Sequence, residues 1–289
     1  MTSLDAPRGR PDRFGSRSPL RLLLVHAVLG AGAVVMLLPF VWMALTSIRP
    51  PSEILSGSLV PFPQTFHGIE NYSAAFKLAP LGMFMLNGAI VCLGILVVQL
   101  LVAIPAAYAI AKLRFPGREV FFALVVAGLC VPIQVPALPL YLALAWAGLL
   151  DGYFALMVPF FLSVFAIFLF RQTFKTFPDE IIHAARVDGM AEFEILWRIV
   201  VPSAAPAIAA FSIFSVVAHW NDLYWPMIVI QRLEHAPPPV GMLFFAGSES
   251  GTNHGVMMAA AVIITAPLLL LFLAARRRFV QGITMTGIK

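Results

Sequence analysis

Six stretches of this chain are each apolar for about the 20 residues that a helix needs to cross a bilayer. They run over Leu20–Thr46, Met83–Ala111, Val120–Ala147, Tyr153–Phe170, Ala207–Ile230 and Val256–Ala275. Hydrophobic residues make up 60% of the sequence and charged residues only 11%, too few to clothe a water-facing exterior of this size. The fold class predicted is therefore all-α, a polytopic membrane protein with six transmembrane helices. Residues 1–21 form an N-terminal tail, 22–275 the membrane domain and 276–289 a C-terminal tail. Long connections fall at 47–82, 171–203 and 231–255.

Charge orients this layout. The N-terminal tail carries five basic residues, the 112–118 connection three, the 171–198 connection four and the C-terminal tail four, together 16 of the 19 in the chain. Only Arg49, Lys77 and Arg232 fall on the other face. By the positive-inside rule the basic face, with both termini, is cytoplasmic. The net charge of +5 is thus a topology signal and not a nucleic-acid footprint. Ala31-Gly32-Ala33 resembles a signal-peptidase site, but the apolar run continues through Leu38 to Trp42, which predicts an uncleaved first helix. Prolines at 39, 105, 132, 136, 139, 159, 226 and 267 predict bent, mutually packed helices. Cys92 and Cys130 lie in apolar runs and read as small core residues.

The segment from Phe177 to Pro206 is different in kind. Pro178 suits a first helical turn, and Asp179 and Glu180 complement the positive end of the helix dipole. Gly189 stops that helix, and a second apolar pattern follows through Phe193, Leu196, Trp197 and Val200. Pro202 and Pro206 then lead into the fifth span. The prediction is two short amphipathic helices joined at a glycine, a stiff protrusion with a small-residue patch, Ala184-Ala185, open to another protein.

Ala184-Ala185, three residues, Gly189, nine residues, then Ile199 and Pro202 resembles the cytoplasmic EAA motif of ABC-importer permeases. His183 stands where that motif usually has Glu, and Val201 where it has Leu. Asn71-Tyr72, Asn87, Trp220-Asn221-Asp222 with Trp225-Pro226, and the ending from Arg278 through Gln281-Gly282-Ile283-Thr284 to Gly287 are similar to the binding-protein-dependent sugar branch, the maltose-type second permease above all. The resemblance implies a type I importer fold. It implies that Asp179, Glu180, His183, Ala184, Ala185, Asp188, Gly189 and Pro202 form the coupling surface for a separate ATPase. It also implies a second homologous permease, an ATPase dimer that binds ATP and Mg, an extracytoplasmic solute-binding protein, and inward passage of a carbohydrate or glycerophosphate.

Within the spans, Asn87, Trp220, Asn221, Asp222 and Tyr224 are candidates for the substrate path. An ionisable Asp222 in an apolar span faces either a cavity or the outer interface. Trp220, Tyr224 and Trp225 suit sugar stacking or an interfacial aromatic belt. Gln99, Asn87 and Gln134 suit interhelical hydrogen bonding. The sequence contains no G-x-x-x-x-G-K-[ST], so ATP hydrolysis is expected elsewhere, and it contains no metal-ligand motif. A secondary transporter, a non-transporting membrane scaffold and an intramembrane hydrolase are the rival readings; no internal repeat supports the first.

Overall fold

The computed structural model describes residues 19–56, 62–247 and 253–284, without the side chains of 246–247 and 275–284. Arg8, Arg10, Arg13, Arg17, Gly287 and Lys289 thus lie outside the described residues, as do the side chains of Arg276, Arg277 and Arg278. Every regular element among the described residues is helical. Among the described residues, three helices are long and apolar enough to span alone: α1 (Pro19–Thr46), α4 (Leu81–Lys112) and α15 (His254–Thr284), the last over its first 21 residues. Between α1 and α4 lie two short helices, α2 (Pro51–Leu55) and α3 (Gly68–Leu78).

The other three spans are broken. α5 (Arg118–Leu129) meets α6 (Gln134–Trp146) at 99°. Each half covers only about 18–20 Å at 1.5 Å per residue, so neither crosses by itself. The break falls at Cys130–Ile133, where Pro132 lacks the N–H that a continuous helix needs. α7 (Tyr153–Met157) and a 3₁₀ turn (Val158–Phe160) bend by 44° into α8 (Val164–Lys175). Ser163 starts α8 by accepting a hydrogen bond from the Ala166 amide at 3.2 Å. Further along come α9 (Asp179–Val187), α10 (Glu192–Ile195), a π turn (Leu196–Val200) and α11 (Val201–Ser203). The stretch from α10 to α11 turns by 79° into α12 (Ala205–Trp220), and α13 (Tyr224–Val229) completes the fifth span after a break at Asn221–Leu223. With each bent pair taken as one crossing, the count reaches six. Pro39, Pro105, Pro139 and Pro267 sit inside continuous helices, so proline density alone does not locate the bends.

α4 is the axis of the fold. At 32 residues it is about 48 Å long, some 18 Å more than the hydrocarbon layer. Leu81, Phe84, Val91 and Ile95 on its first half join one buried cluster with Trp225, Val229, Val256 and Ala260. Ala103, Ala107 and Tyr108 on its second half join another, with Phe170, Phe174, Ile182, Ala185 and Val200. The long connection after α13 folds back onto α4 as a 3₁₀ turn (Leu233–His235) and α14 (Pro238–Gly247). There Gly241 lies against the Phe84 ring so closely that a Cβ would collide with it. α1 is peripheral: from Leu20 to Trp42 its side chains are exposed, and its main neighbour is α15. Cys92 is buried as expected, but Cys130 is exposed, because the break in the third span leaves it on the outside.

Candidate coupling elbow and polar path

The Phe177–Pro206 segment folds as an elbow against the overhanging end of α4. Pro178 precedes α9 in extended conformation instead of entering its first turn. At the other end the Met190 amide donates to the Ala185 carbonyl at 3.0 Å and the Gly189 amide to the Arg186 carbonyl at 3.1 Å. This double closure needs a left-handed residue, and Gly189 supplies it with φ +82°. The turn is thereby fixed by backbone geometry.

Two polar clamps hold the elbow to α4. Lys112 is the last residue of α4, and its side chain is only 5% exposed. Its Nζ donates to the Phe177 carbonyl at 2.6 Å and to Asp179 Oδ1 at 2.5 Å. A buried ammonium is costly unless such partners satisfy its N–H groups. The bond from Lys112 holds the Asp179 carboxyl below the usual carboxylate range. In the second clamp, Arg186 Nε donates to Glu192 Oε1 at 2.5 Å and the Tyr108 hydroxyl to Glu192 Oε2 at 2.8 Å. Glu192 thus ties α10 to α9 and α4 together, and its hydrogen bond holds the Arg186 guanidinium more firmly in the charged form.

The elbow has two faces. Ile182, Ala185, Ile195, Leu196 and Val200 point into the core. Asp179, Glu180, His183, Ala184, Asp188, Gly189 and Pro202 are exposed. The predicted small-residue patch is therefore split: Ala184 faces out and Ala185 faces in. Beside Ala184, Ile181, Val187 and Phe193 are exposed, Val187 at 87%. An amphipathic helix that leaves such residues uncovered presents an unfilled contact surface.

The span residues form struts and one cavity wall. Asn87 is buried; its Nδ2 donates to the Glu234 and Ala236 carbonyls at 2.9 and 3.1 Å, and its Oδ1 accepts from the Tyr153 hydroxyl at 2.6 Å. Trp220 is buried, its Nε1 donating to the Ile264 carbonyl at 3.1 Å. Trp225 is likewise buried and donates to Ala155 at 2.8 Å, so neither tryptophan lies in an interfacial belt. Asn221 is exposed and bonds back to the Val217 carbonyl at 2.8 Å; Tyr224 is also exposed. Asp222 sits half-buried in the break between α12 and α13, where its Oδ1 accepts from the Trp225 amide at 3.4 Å. It lines a small cavity with Gly88, Phe160, His219, Pro226 and Pro237. Next to that cavity Gln99 bridges three elements, donating to the Phe160 carbonyl at 2.9 Å, accepting from Ser215 at 2.7 Å and meeting His219 at 3.3 Å. Gln134 is exposed at the start of α6.

Residues 99–285, which include the elbow and most of the polar wall, match the family described as binding-protein-dependent transport system inner membrane component. The chain belongs to this family. It is similar to the sn-glycerol-3-phosphate transport system permease protein UgpE of Yersinia pestis, with 32% identity over 72% of this chain and 75% of the relative. It is similar also to the arabinooligosaccharides transport system permease protein AraQ of Halalkalibacterium halodurans, with 29% identity over 89% of this chain and 92% of the relative. Among solved structures, a chain of a bacterial ABC transporter involved in import of the acidic polysaccharide alginate superposes with a TM-score of 0.81 at 25% identity, covering 92% of this chain and 99% of that one. As a member of the binding-protein-dependent family, the protein is an inner-membrane permease subunit of an ABC importer. Its working partners are a second permease, an ATPase pair and a solute-binding protein.

Within this permease, Lys112, Arg186, Glu192 and Tyr108 were not singled out in the sequence as site residues, and neither were Ser215 and His219. Only the buried amphiphile Tyr108 and the overlong α4 carried any signal, since both imply a partner beyond the membrane core.

Proposed function

We propose that the exposed face of α9, from Asp179 to Gly189, seats in the ATPase of the importer, and that α4 receives the resulting motion through the two clamps. The observation that carries this reading is the doubly clamped elbow with an uncovered apolar outer face. Both clamps end on α4, so displacement of α9 acts directly on the axis of the bundle. In this reading the elbow end and both termini are cytoplasmic, in line with the positive-inside distribution of the basic residues. ATP is hydrolysed by the partner, since this sequence lacks the phosphate-binding loop. The solute is a carbohydrate or glycerophosphate moved inward, in line with the names of the similar permeases. Asn221, Asp222 and Tyr224 face its path, and Asn87 and Trp220 brace the wall behind them.

Gly189→Val tests the elbow. No atom lies within 4 Å of a Cβ at this position, so the substitution strains the left-handed backbone without a collision. Uptake by the assembled importer is expected to fall at least about tenfold, with membrane insertion and subunit assembly retained. Uptake at the wild-type rate removes the coupling role from this turn.

A further inference from the structure

The elbow end of the bundle carries a second cluster of cations that the clamps leave unused. Arg114 precedes α5, Arg118 opens it, and Arg171 and Lys175 lie at the end of α8. Arg171 is the informative member. It is only 7% exposed, its Nε has no hydrogen-bond partner, and its guanidinium carbon lies 3.4 Å from the Phe122 ring centroid. A ring face attracts a cation but cannot accept its N–H hydrogens in plane. Glu119 lies within electrostatic reach of Arg118, Arg171 and Lys175. Yet its Oε1 already takes both Nε and Nη2 of Arg118, at 3.1 and 2.8 Å. Among the described residues, no ion pair reaches Arg114, Arg171 or Lys175. Arg118, Arg171 and Lys175 thus share the carboxylate of Glu119, and the Arg171 Nε stays unsatisfied, so this place carries an excess of positive charge that suits an added anion.

The surroundings narrow the choice of anion. Arg114, Phe115, Gly117, Arg118, Glu119 and Val120 line an open groove beside the cluster, with the Glu119 carboxylate already engaged by Arg118. Directly along α5 from it, Val120, Phe121 and Leu124 are exposed and apolar. A free phosphate has no use for that flank, whereas an amphiphile matches both parts. We propose that this groove binds the headgroup of an anionic phospholipid. Arg114 and Arg118 hold the phosphate, Arg171 and Lys175 add attraction from behind, and the acyl chains lie along Val120, Phe121 and Leu124. Bound lipid then completes the α5–α8 contact and braces the broken third span where it joins the bundle.

The test uses the assembled importer in nanodiscs, with phosphatidylglycerol and phosphatidylcholine competing for retention by native mass spectrometry. Wild type is expected to retain phosphatidylglycerol selectively. Each removed basic residue is expected to weaken retention about fivefold. The double variant Arg114→Gln with Lys175→Gln changes only exposed side chains and keeps the test independent of folding; Arg171→Gln probes the buried member. Undiminished selectivity in both variants overturns the proposal. A photo-crosslinker at Phe121 supplies the second arm: a lipid adduct supports the site, and a peptide adduct from another subunit replaces it with a protein contact. If inorganic phosphate alone displaces the retained lipid, the site is one for free anions and the lipid assignment fails.

Discussion

At the elbow end, the chain is held by charge: Lys112 on Asp179, and Arg186 with Tyr108 on Glu192. At the opposite end, it is held mainly by neutral amides. Asn71 Nδ2 donates to the Ser47 and Arg49 carbonyls at 2.9 and 2.8 Å, fastening α3 to the exit of α1. Asn87 does the same for the connection that carries α14. Asp151 is the charged exception: in a left-handed backbone with φ 61°, it accepts from the Gln231 and Arg232 amides at 3.0 Å and pairs with the Arg232 guanidinium at 3.2 Å. The difference lies in what remains uncovered. The amide latches turn their polar groups inward and use them up on carbonyls. The charged clamps pull α9 in from behind and leave its outer face, with Ile181, His183, Ala184 and Val187, unengaged. One end is built to hold its shape, the other to hold its shape while meeting a partner.

Glu192→Ala strikes the elbow hardest, because it removes the shared acceptor of Arg186 and Tyr108. The buried Tyr108 hydroxyl then loses its acceptor, and α10 loses its tie to α4. Uptake by the assembled importer is expected to drop about tenfold or more, while ATP hydrolysis falls much less. A parallel loss of both rates, or no loss, breaks the contrast between a transmitting end and a fixed one.

Asn87→Leu makes the corresponding cut at the other end. It leaves the Glu234 and Ala236 carbonyls and the Tyr153 hydroxyl without their partner, at a cost of about 2–3 kcal/mol. The purified complex is expected to melt earlier, and the ratio of uptake to ATP hydrolysis is expected to stay unchanged. A changed ratio with unaltered melting makes Asn87 part of the transport path instead of a latch.

Length and hydropathy were enough to place the spans, because a bilayer imposes a minimum apolar run whatever the tertiary contacts. The elbow was legible too: Gly189 can be read as a helix stop, since few other residues tolerate its φ. The bends were not. Pro132 marks a break and Pro105 does not, and what separates them is packing by neighbours, which a single sequence does not display. Helical spacing assigns Phe193 to the apolar face of α10, yet it is exposed, while Ile195 and Leu196 take the buried positions. The clamp partners were hidden for a simpler reason. Lys112 and Phe177, or Tyr108 and Glu192, are far apart in sequence, and only the overhang of α4 brings them together.

The smallest effect separates the two members of the first clamp. The Lys112 side chain is nearly buried, whereas that of Asp179 is 68% exposed, so solvent screens most of the attraction that Asp179 feels. Asp179→Asn leaves Lys112 its bond to the Phe177 carbonyl and is expected to change uptake less than about twofold. Lys112→Met removes both bonds and is expected to exceed that. The pH dependence follows the same asymmetry. Because Lys112 holds the Asp179 carboxyl below its usual range, the contribution of the pair is complete above the ordinary carboxylate value and disappears only as pH falls through the lowered one. Between pH 7 and pH 5 the ratio of wild-type uptake to that of Asp179→Asn is therefore expected to stay flat. A ratio that declines across this interval means that the Asp179 carboxyl titrates above its ordinary value, and that the bond from Lys112 does not hold it low.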